Sequence, residues 1–234
     1  MLISVSRSRS LSEVTPRVAE KRGWPAPPFS LTLPELTKRL IDLVFATGLL
    51  VVTLPLGLAI GLGVKLNSPG PVLFRHRRVG LAGRSFSCLK FRTMVQDAEE
   101  WLERDGALRA TYRSNGFKLP AEADPRVTGF GRVLRRTHLD ELPQLINVLA
   151  GDLSLVGPRP IITEELDFFP DSDRDQLLSV RPGIFGLWTA LGRNRVNYPE
   201  RAAIELRYVE TRSNAGDIAI LLRHLPVLLH GQSD

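Results

Sequence analysis

The sequence predicts an α/β fold: a helix-rich cytoplasmic domain with a small sheet, attached to the membrane by one N-terminal re-entrant helix. Three observations predict it. Residues 43–64 form a run of 22 residues without a charge, long enough to reach across a ~30 Å hydrocarbon layer. Lys38 and Arg39 precede that run and Lys65, Arg75, Arg77 and Arg78 follow it, so the positive-inside rule places both ends in the cytoplasm. Beyond the turn Asn67-Ser68-Pro69-Gly70-Pro71, short strand-like runs and helical periods replace the membrane character.

Residues 1–36 read as a disordered basic arm, in which Ser4, Ser6, Ser8, Ser10 and Ser12 mix with Arg7, Arg9, Arg17, Lys21 and Arg22. No apolar stretch stands close behind the positive start, so a cleaved signal peptide is not expected. Residues 37–66 are the membrane-inserted segment. Pro55 removes a backbone hydrogen bond near its middle, which together with the matched flanking charges suits a helix-break-helix that enters and leaves one leaflet. A kinked helix spanning the bilayer is the alternative. Asp42, at the entrance, is out of place; it sits in the headgroup zone or pairs with a basic residue of the folded domain.

In the domain formed by residues 67–234, residues 72–75 and 86–91 read as strands joined around Gly80 and Gly83. Residues 94–104 place Ala98, Trp101 and Leu102 at helical spacing, the mark of a surface helix. Residues 106–120 show no period. Further helices are expected at 128–136, 141–150, 161–169, 173–180, 199–212 and 217–230. The last is apolar nearly all round and either docks into the core or lies in the membrane interface.

Composition narrows the chemistry. A chain of 234 residues with 43% hydrophobic content builds one core of ordinary size, and a net charge of +6 favours an anionic partner: membrane, nucleic acid or phosphorylated substrate. Cys88, the single cysteine, excludes an intramolecular disulfide and multi-cysteine zinc sites, and it reads as core filler. His76, His138, His224 and His230 lack the short spacings of a transition-metal site. Aromatic stacking runs and reading motifs are missing, so nucleic acid is not expected as a partner.

The most informative stretch is Thr137-His138-Leu139-Asp140-Glu141-Leu142-Pro143-Gln144. Leu142, Leu145, Ile146 and Leu149 follow an i, i+3, i+4, i+7 pattern, and Pro143 belongs in a first turn, so a helix is expected to begin near Asp140. Two readings stay open. Asp140 is an N-cap, alone or paired with Thr137, and Glu141 a favourable first-turn charge; or the helix terminus keeps Asp140 ionised as a nucleophile or Mg2+ ligand. Basic residues beside rigid turns or beside this helix, namely Lys90-Phe91-Arg92, Arg135-Arg136, Gly157-Pro158-Arg159-Pro160, Arg181-Pro182-Gly183 and Gly192-Arg193, point to a phosphate site.

These motifs, with Asn67-Ser68-Pro69-Gly70-Pro71-Val72-Leu73-Phe74-Arg75, Lys90-Phe91-Arg92-Thr93-Met94 and Gly151-Asp152-Leu153-Ser154-Leu155-Val156-Gly157, resemble the bacterial sugar transferase family of monotopic phosphoglycosyl transferases. The resemblance covers residues 38 to about 230. It implies a re-entrant membrane helix, Asp140 as nucleophile, Glu141 as its catalytic partner and Mg2+ coordinated near Asp140. It also implies that Lys90, Arg92, Arg135, Arg159 and Arg181 serve the phosphates or the site's architecture. Residues 67–234 are then the catalytic domain, on the cytoplasmic side of the bacterial inner membrane. Its expected partners are a UDP-sugar, undecaprenyl phosphate and membrane lipid, and its product starts an exopolysaccharide repeat unit; homo-oligomerisation is left open. An inactive membrane scaffold of polysaccharide assembly is the rival reading. Leu54 precedes Pro55 where the family usually has serine, so a hydroxyl contribution to the bend comes from Thr53 or is absent. Thr189 stands where glutamine is common, and the family's late acidic position corresponds to Glu205.

Overall fold

The computed structural model describes residues 32–115, 117, 119–191, 196 and 198–230, except for the side chains of residues 225–230. Its first element is a long helix, α1 (Leu33–Asn67), of 35 residues. Pro34 lies in the first turn, where a missing N–H loses no partner, and the Glu35 carboxylate accepts from Thr32 N at 3.3 Å. Residues 33–36, expected in the disordered arm, are therefore helical; the rest of the arm, residues 1–31, lies outside the described residues.

The expected break at Pro55 is not an interruption: the helix runs on through it. A proline removes one ladder bond, and the turns on either side of it keep theirs. Thr53 Oγ1 donates to Leu49 O at 2.7 Å, the hydroxyl back-bond that bends helices.

Helix α1 lies along the folded domain. Leu40, Val44, Phe45, Val51, Val52, Leu58 and Leu62 are each more than half exposed, and only 11% of the most apolar 18-residue window is buried. A core helix of a soluble protein would bury that face.

After α1 comes an antiparallel hairpin, β1 (Leu73–Val79) and β2 (Ser85–Phe91), with Phe74 opposite Lys90, His76 opposite Cys88 and Arg78 opposite Phe86. Strand β1 outruns the expected residues 72–75 because polar side chains occupy both of its faces, which hides the period of two. Next are α2 (Ala98–Arg104) and α3 (Gly106–Ser114). Helix α3 has no buried residue, so its sequence needs no apolar stripe; Asp105 caps it by accepting from Leu108 N at 3.0 Å. Helix α4 (Gly129–Arg136), capped by Thr128, and α5 (Gln144–Ala150) match the expected periods.

The strand β3 (Ser154–Val156) pairs in parallel with β4 (Gly183–Phe185), a second sheet that the sequence reading missed. Three-residue strands are too short to show alternation. Between them, a 3-10 stretch at Thr163–Phe168 replaces the helix expected at 161–169, followed by α6 (Asp171–Leu177). Three helices close the described chain: α7 (Leu187–Ala190), α8 (Glu200–Thr211) and α9 (Asn214–His230).

The main core gathers Ala46 of α1, Cys88, Leu145, Val148, Leu153, Leu155, Val156, Tyr208 and Ile220. Cys88 fills a core position, and burial pushes its thiol up, away from a reactive thiolate. Helix α9 docks through Asp217, Ile220 and His224, while Ile218 and Leu222 on its other side stay exposed.

Candidate active site

One face of the hairpin forms the floor of a cleft of about 1580 Å³, to which Phe74, His76, Arg78, Cys88 and Lys90 contribute. Asp140 and Glu141 enter it from a 3-10 turn, Leu139–Glu141, that follows α4. His138 starts this turn in the left-handed region, with φ of 57°, redirecting the chain so that the carboxylates face the hairpin. Helix α5 begins only at Gln144, with Pro143 at its cap position and no side-chain cap bond. The Thr137 hydroxyl donates to Val133 O at 2.9 Å. Neither carboxylate is the expected helix cap, and the proline ends the turn rather than opening a helix at Asp140.

Asp140 is 7% exposed. Lys90 Nζ lies 2.6 Å from Glu141 Oε1 and 3.8 Å from Asp140 Oδ2, so Glu141 holds the ammonium beside Asp140. Arg135, at the end of α4, donates through Nε to Thr93 Oγ1 at 2.9 Å. Burial pushes the Asp140 carboxyl above the ordinary carboxylate range and Glu141 adds to the shift, while Lys90 and Arg135 pull it back. The expected support of the ionised form by a helix terminus is corrected: the helix starts only at Gln144, and burial raises the Asp140 carboxyl.

A second cationic group lies further along the cleft. Arg78 donates to Pro160 O at 3.0 Å and pairs with Glu165 at 3.4 Å; Arg201 pairs with Glu165 at 3.2 Å, with the Trp188 and Tyr198 rings 4.3 and 4.7 Å from its guanidinium carbon. Arg159 N donates to Glu205 Oε2 at 3.1 Å, leaving the Arg159 side chain to the cleft, where its buried Nε has no hydrogen-bond partner among the described residues. Glu205 is fully buried, which pushes its carboxyl up to about 7. Arg201 and Glu165 escaped the sequence reading because no local motif marks them; Arg78 was read as a charge flanking the apolar run, and Glu205 as a family position without an assigned role.

Two expected phosphate ligands are used differently. Arg92 lines the cleft, but its terminal nitrogens donate to Ser68 O at 2.7 Å and to Pro69 O, fastening the turn after α1. Arg181 does not line the cleft; its Nε donates to Gly151 O at 3.1 Å, at the C-terminal end of α5. The rigid turns around it instead hold β3 against β4, with Gly183 N donating to Pro158 O at 2.8 Å. A Cβ on Gly183 would overlap the Gly157 backbone, so that close approach requires glycine. Gly192-Arg193 lies outside the described residues.

Residues 33–231 match the family described as Bacterial sugar transferase. The chain belongs to the bacterial sugar transferase family. It is 43% identical over 196 residues to the undecaprenyl-phosphate galactose phosphotransferase of Salmonella typhimurium, covering 82% of this chain and 40% of that protein. It is 41% identical to the exopolysaccharide production protein ExoY of Rhizobium meliloti, over 82% of this chain and 85% of that one. A UDP-glucose:undecaprenyl-phosphate glucose-1-phosphate transferase of Caulobacter vibrioides is 39% identical, over 88% and 74%. The chain thus spans less than half of the Salmonella protein and most of the other two, and as a sugar transferase it is an enzyme of phosphoglycosyl transfer.

Within this sugar transferase, the carboxylate pair bears on which metal would fit the cleft. Among the described residues no three His, Cys, Asp or Glu side chains cluster as a metal cage. Adjacent Asp140 and Glu141 in a cleft lined with cationic side chains have donor chemistry that suits Mg2+, which takes one or two carboxylates and completes its shell with water and phosphate oxygens.

Proposed function

We propose that the protein moves a hexose 1-phosphate from a UDP-sugar to undecaprenyl phosphate through a covalent Asp140 intermediate, releasing UMP and initiating an exopolysaccharide repeat unit. The observation that carries this reading is Asp140 buried in a cleft with Lys90 and Arg135 beside it and a second cationic group, Arg78, Arg159 and Arg201, further along. The named activities of the Salmonella and Caulobacter relatives supply the substrate classes.

An Asp140 carboxylate oxygen attacks the sugar-bearing phosphorus; the new P–O bond forms as the bond to the UMP phosphate oxygen breaks, and UMP leaves with that electron pair. An undecaprenyl phosphate oxygen then attacks the same phosphorus and expels the Asp140 carboxylate. Lys90 and Arg135 favour the ionised form of Asp140 against its burial, and Glu141 keeps Lys90 in place. Arg159 offers a fork to the diphosphate. Mg2+, held by Asp140, would supply neutralisation of phosphate charge.

The membrane arrangement we propose is re-entrant, with the domain on the cytoplasmic side. Both ends of α1 are tied to the same domain: Arg39 donates to Val148 O at 2.8 Å, while Ile60 and Val64 pack with Phe91 and Leu134. A helix so tethered cannot deliver its ends to opposite bilayer faces while the domain stays on one, which supports one-leaflet insertion of the exposed apolar face.

The test omits the acceptor. Without lipid, wild-type protein should release up to one equivalent of UMP and gain the mass of a sugar phosphate on Asp140; Asp140→Asn should do neither. UMP release only after undecaprenyl phosphate is added would instead show direct transfer and remove Asp140 as nucleophile.

A further inference from the structure

His76 stands in the middle of the cleft floor, opposite Cys88 and two residues along the same strand face from Arg78. Arg78 Nη2 lies 3.0 Å from His76 Nδ1. A guanidinium has donors and no acceptor, so Nδ1 accepts and the ring proton sits on Nε2. Arg78 is itself held, by Pro160 O and Glu165, so the tautomer is imposed by a fixed partner. The Phe74 ring, 5.6 Å away, packs beside the imidazole.

The charged groups facing His76 are Arg78 on its own strand, Lys90 on β2 and Arg159 beyond β3. Burial first, and then these three cations, hold the imidazole down to about 3, which favours the neutral ring. The ring is partly exposed and lines the cleft together with Arg159 and with Lys90, which lies 3.8 Å from Asp140. Asp140, His76 and Arg159 line the same cleft, so a diphosphate held there can meet the ring.

We infer that His76 is a substrate-binding residue: a neutral Nε2–H donor to a diphosphate oxygen of the nucleotide sugar, with Arg78 as the positioning residue that sets its tautomer. This rests on the phosphoglycosyl transfer reading above. It assigns His76 no proton transfer. A neutral donor orients the diphosphate without adding a fourth positive charge that would also retain the departing UMP.

The test uses full-length Asp140→Asn protein in lipid nanodiscs with 15N-labelled histidine, His76 being assigned by the signal lost in His76→Gln. The Nε2–H tautomer pattern should persist from pH 8 to 5, and UDP, but not uridine, should shift it. A protonated or Nδ1–H ring, or no response to UDP, would overturn the inference. On an otherwise wild-type background, His76→Phe should lower kcat/KM ten- to a hundred-fold with an unchanged melting temperature. His76→Gln, whose amide is a neutral donor of similar reach, should recover most of that loss. Normal adduct formation on Asp140 in His76→Phe would overturn the role of His76 and leave the covalent route standing. An absent adduct in wild type would remove the route, and the UDP titration would then decide on His76 by itself.

Discussion

Asp42 and Ser154 are joined by a 2.7 Å hydrogen bond that ties the apolar helix α1 to β3, the strand leading to Arg159. The second Asp42 oxygen accepts from Leu155 N at 3.1 Å, and Lys38 lies 3.8 Å away. The carboxylate that looked misplaced at a membrane entrance is 3% exposed and faces the protein. It anchors the helix to the framework of the site.

Asp42→Ala should therefore leave the Leu155 amide buried without its acceptor, at a cost of about 1–3 kcal/mol. Asp42→Asn keeps an oxygen for that amide and should cost less. Thermal unfolding in nanodiscs checks both; an Asp42→Ala protein as stable as wild type would show that the contact contributes nothing.

If both ends of α1 lie on one side of the bilayer, single cysteines placed at Thr32 and Asn67 in a Cys88→Ala background will react with a membrane-impermeant maleimide from the same side. Both positions are exposed, which suits labelling. Reaction from opposite sides would establish a spanning helix.

Arg159 and Arg181 should separate in kinetics although both stand in Pro- and Gly-bounded motifs. Arg159→Lys keeps the charge and loses the fork, so turnover should fall more than tenfold, about 1.4 kcal/mol or more. Arg181→Lys weakens the contact to Gly151 O and should lower the melting temperature with little change in turnover. Steady-state rates paired with melting curves decide; equal kinetic losses would return Arg181 to the phosphates.

Glu205 makes stability depend on pH. Its folded value of about 7 lies above the ordinary 4.5, so the folded state binds the proton more tightly than the unfolded chain. Stability is greatest below the unfolded value and falls as pH rises from about 4.5 through 7, by on the order of 3 kcal/mol for a shift of this size. Glu205→Gln should remove this slope while keeping an acceptor for Arg159 N. Denaturant unfolding from pH 5 to 8 measures the difference, and parallel curves for the two proteins would contradict it.

Signals confined to one window of the chain were legible before any coordinates. The uncharged run of α1, the periods of α4 and α5, and the Asp140-Glu141 pair beside its arginine-bearing turns each follow from residues close together in sequence. Helix α3 and the pair β3 and β4 escaped because an exposed helix needs no apolar stripe and a three-residue strand has no room for one.

What the sequence by itself determined is thus the family, the apolar helix α1 and the candidate carboxylates Asp140 and Glu141. Tertiary structure decided their environment. Lys90 meets Glu141 across 51 positions and Arg78 meets Glu165 across 87, and no local pattern announces either pair. Nor does one announce that Arg181 turns to a helix end while Arg201 turns to the cleft. Hydrophobic period and turn chemistry act between neighbours in the chain, whereas burial and charge pairing act between neighbours in space, and only folding makes those the same residues.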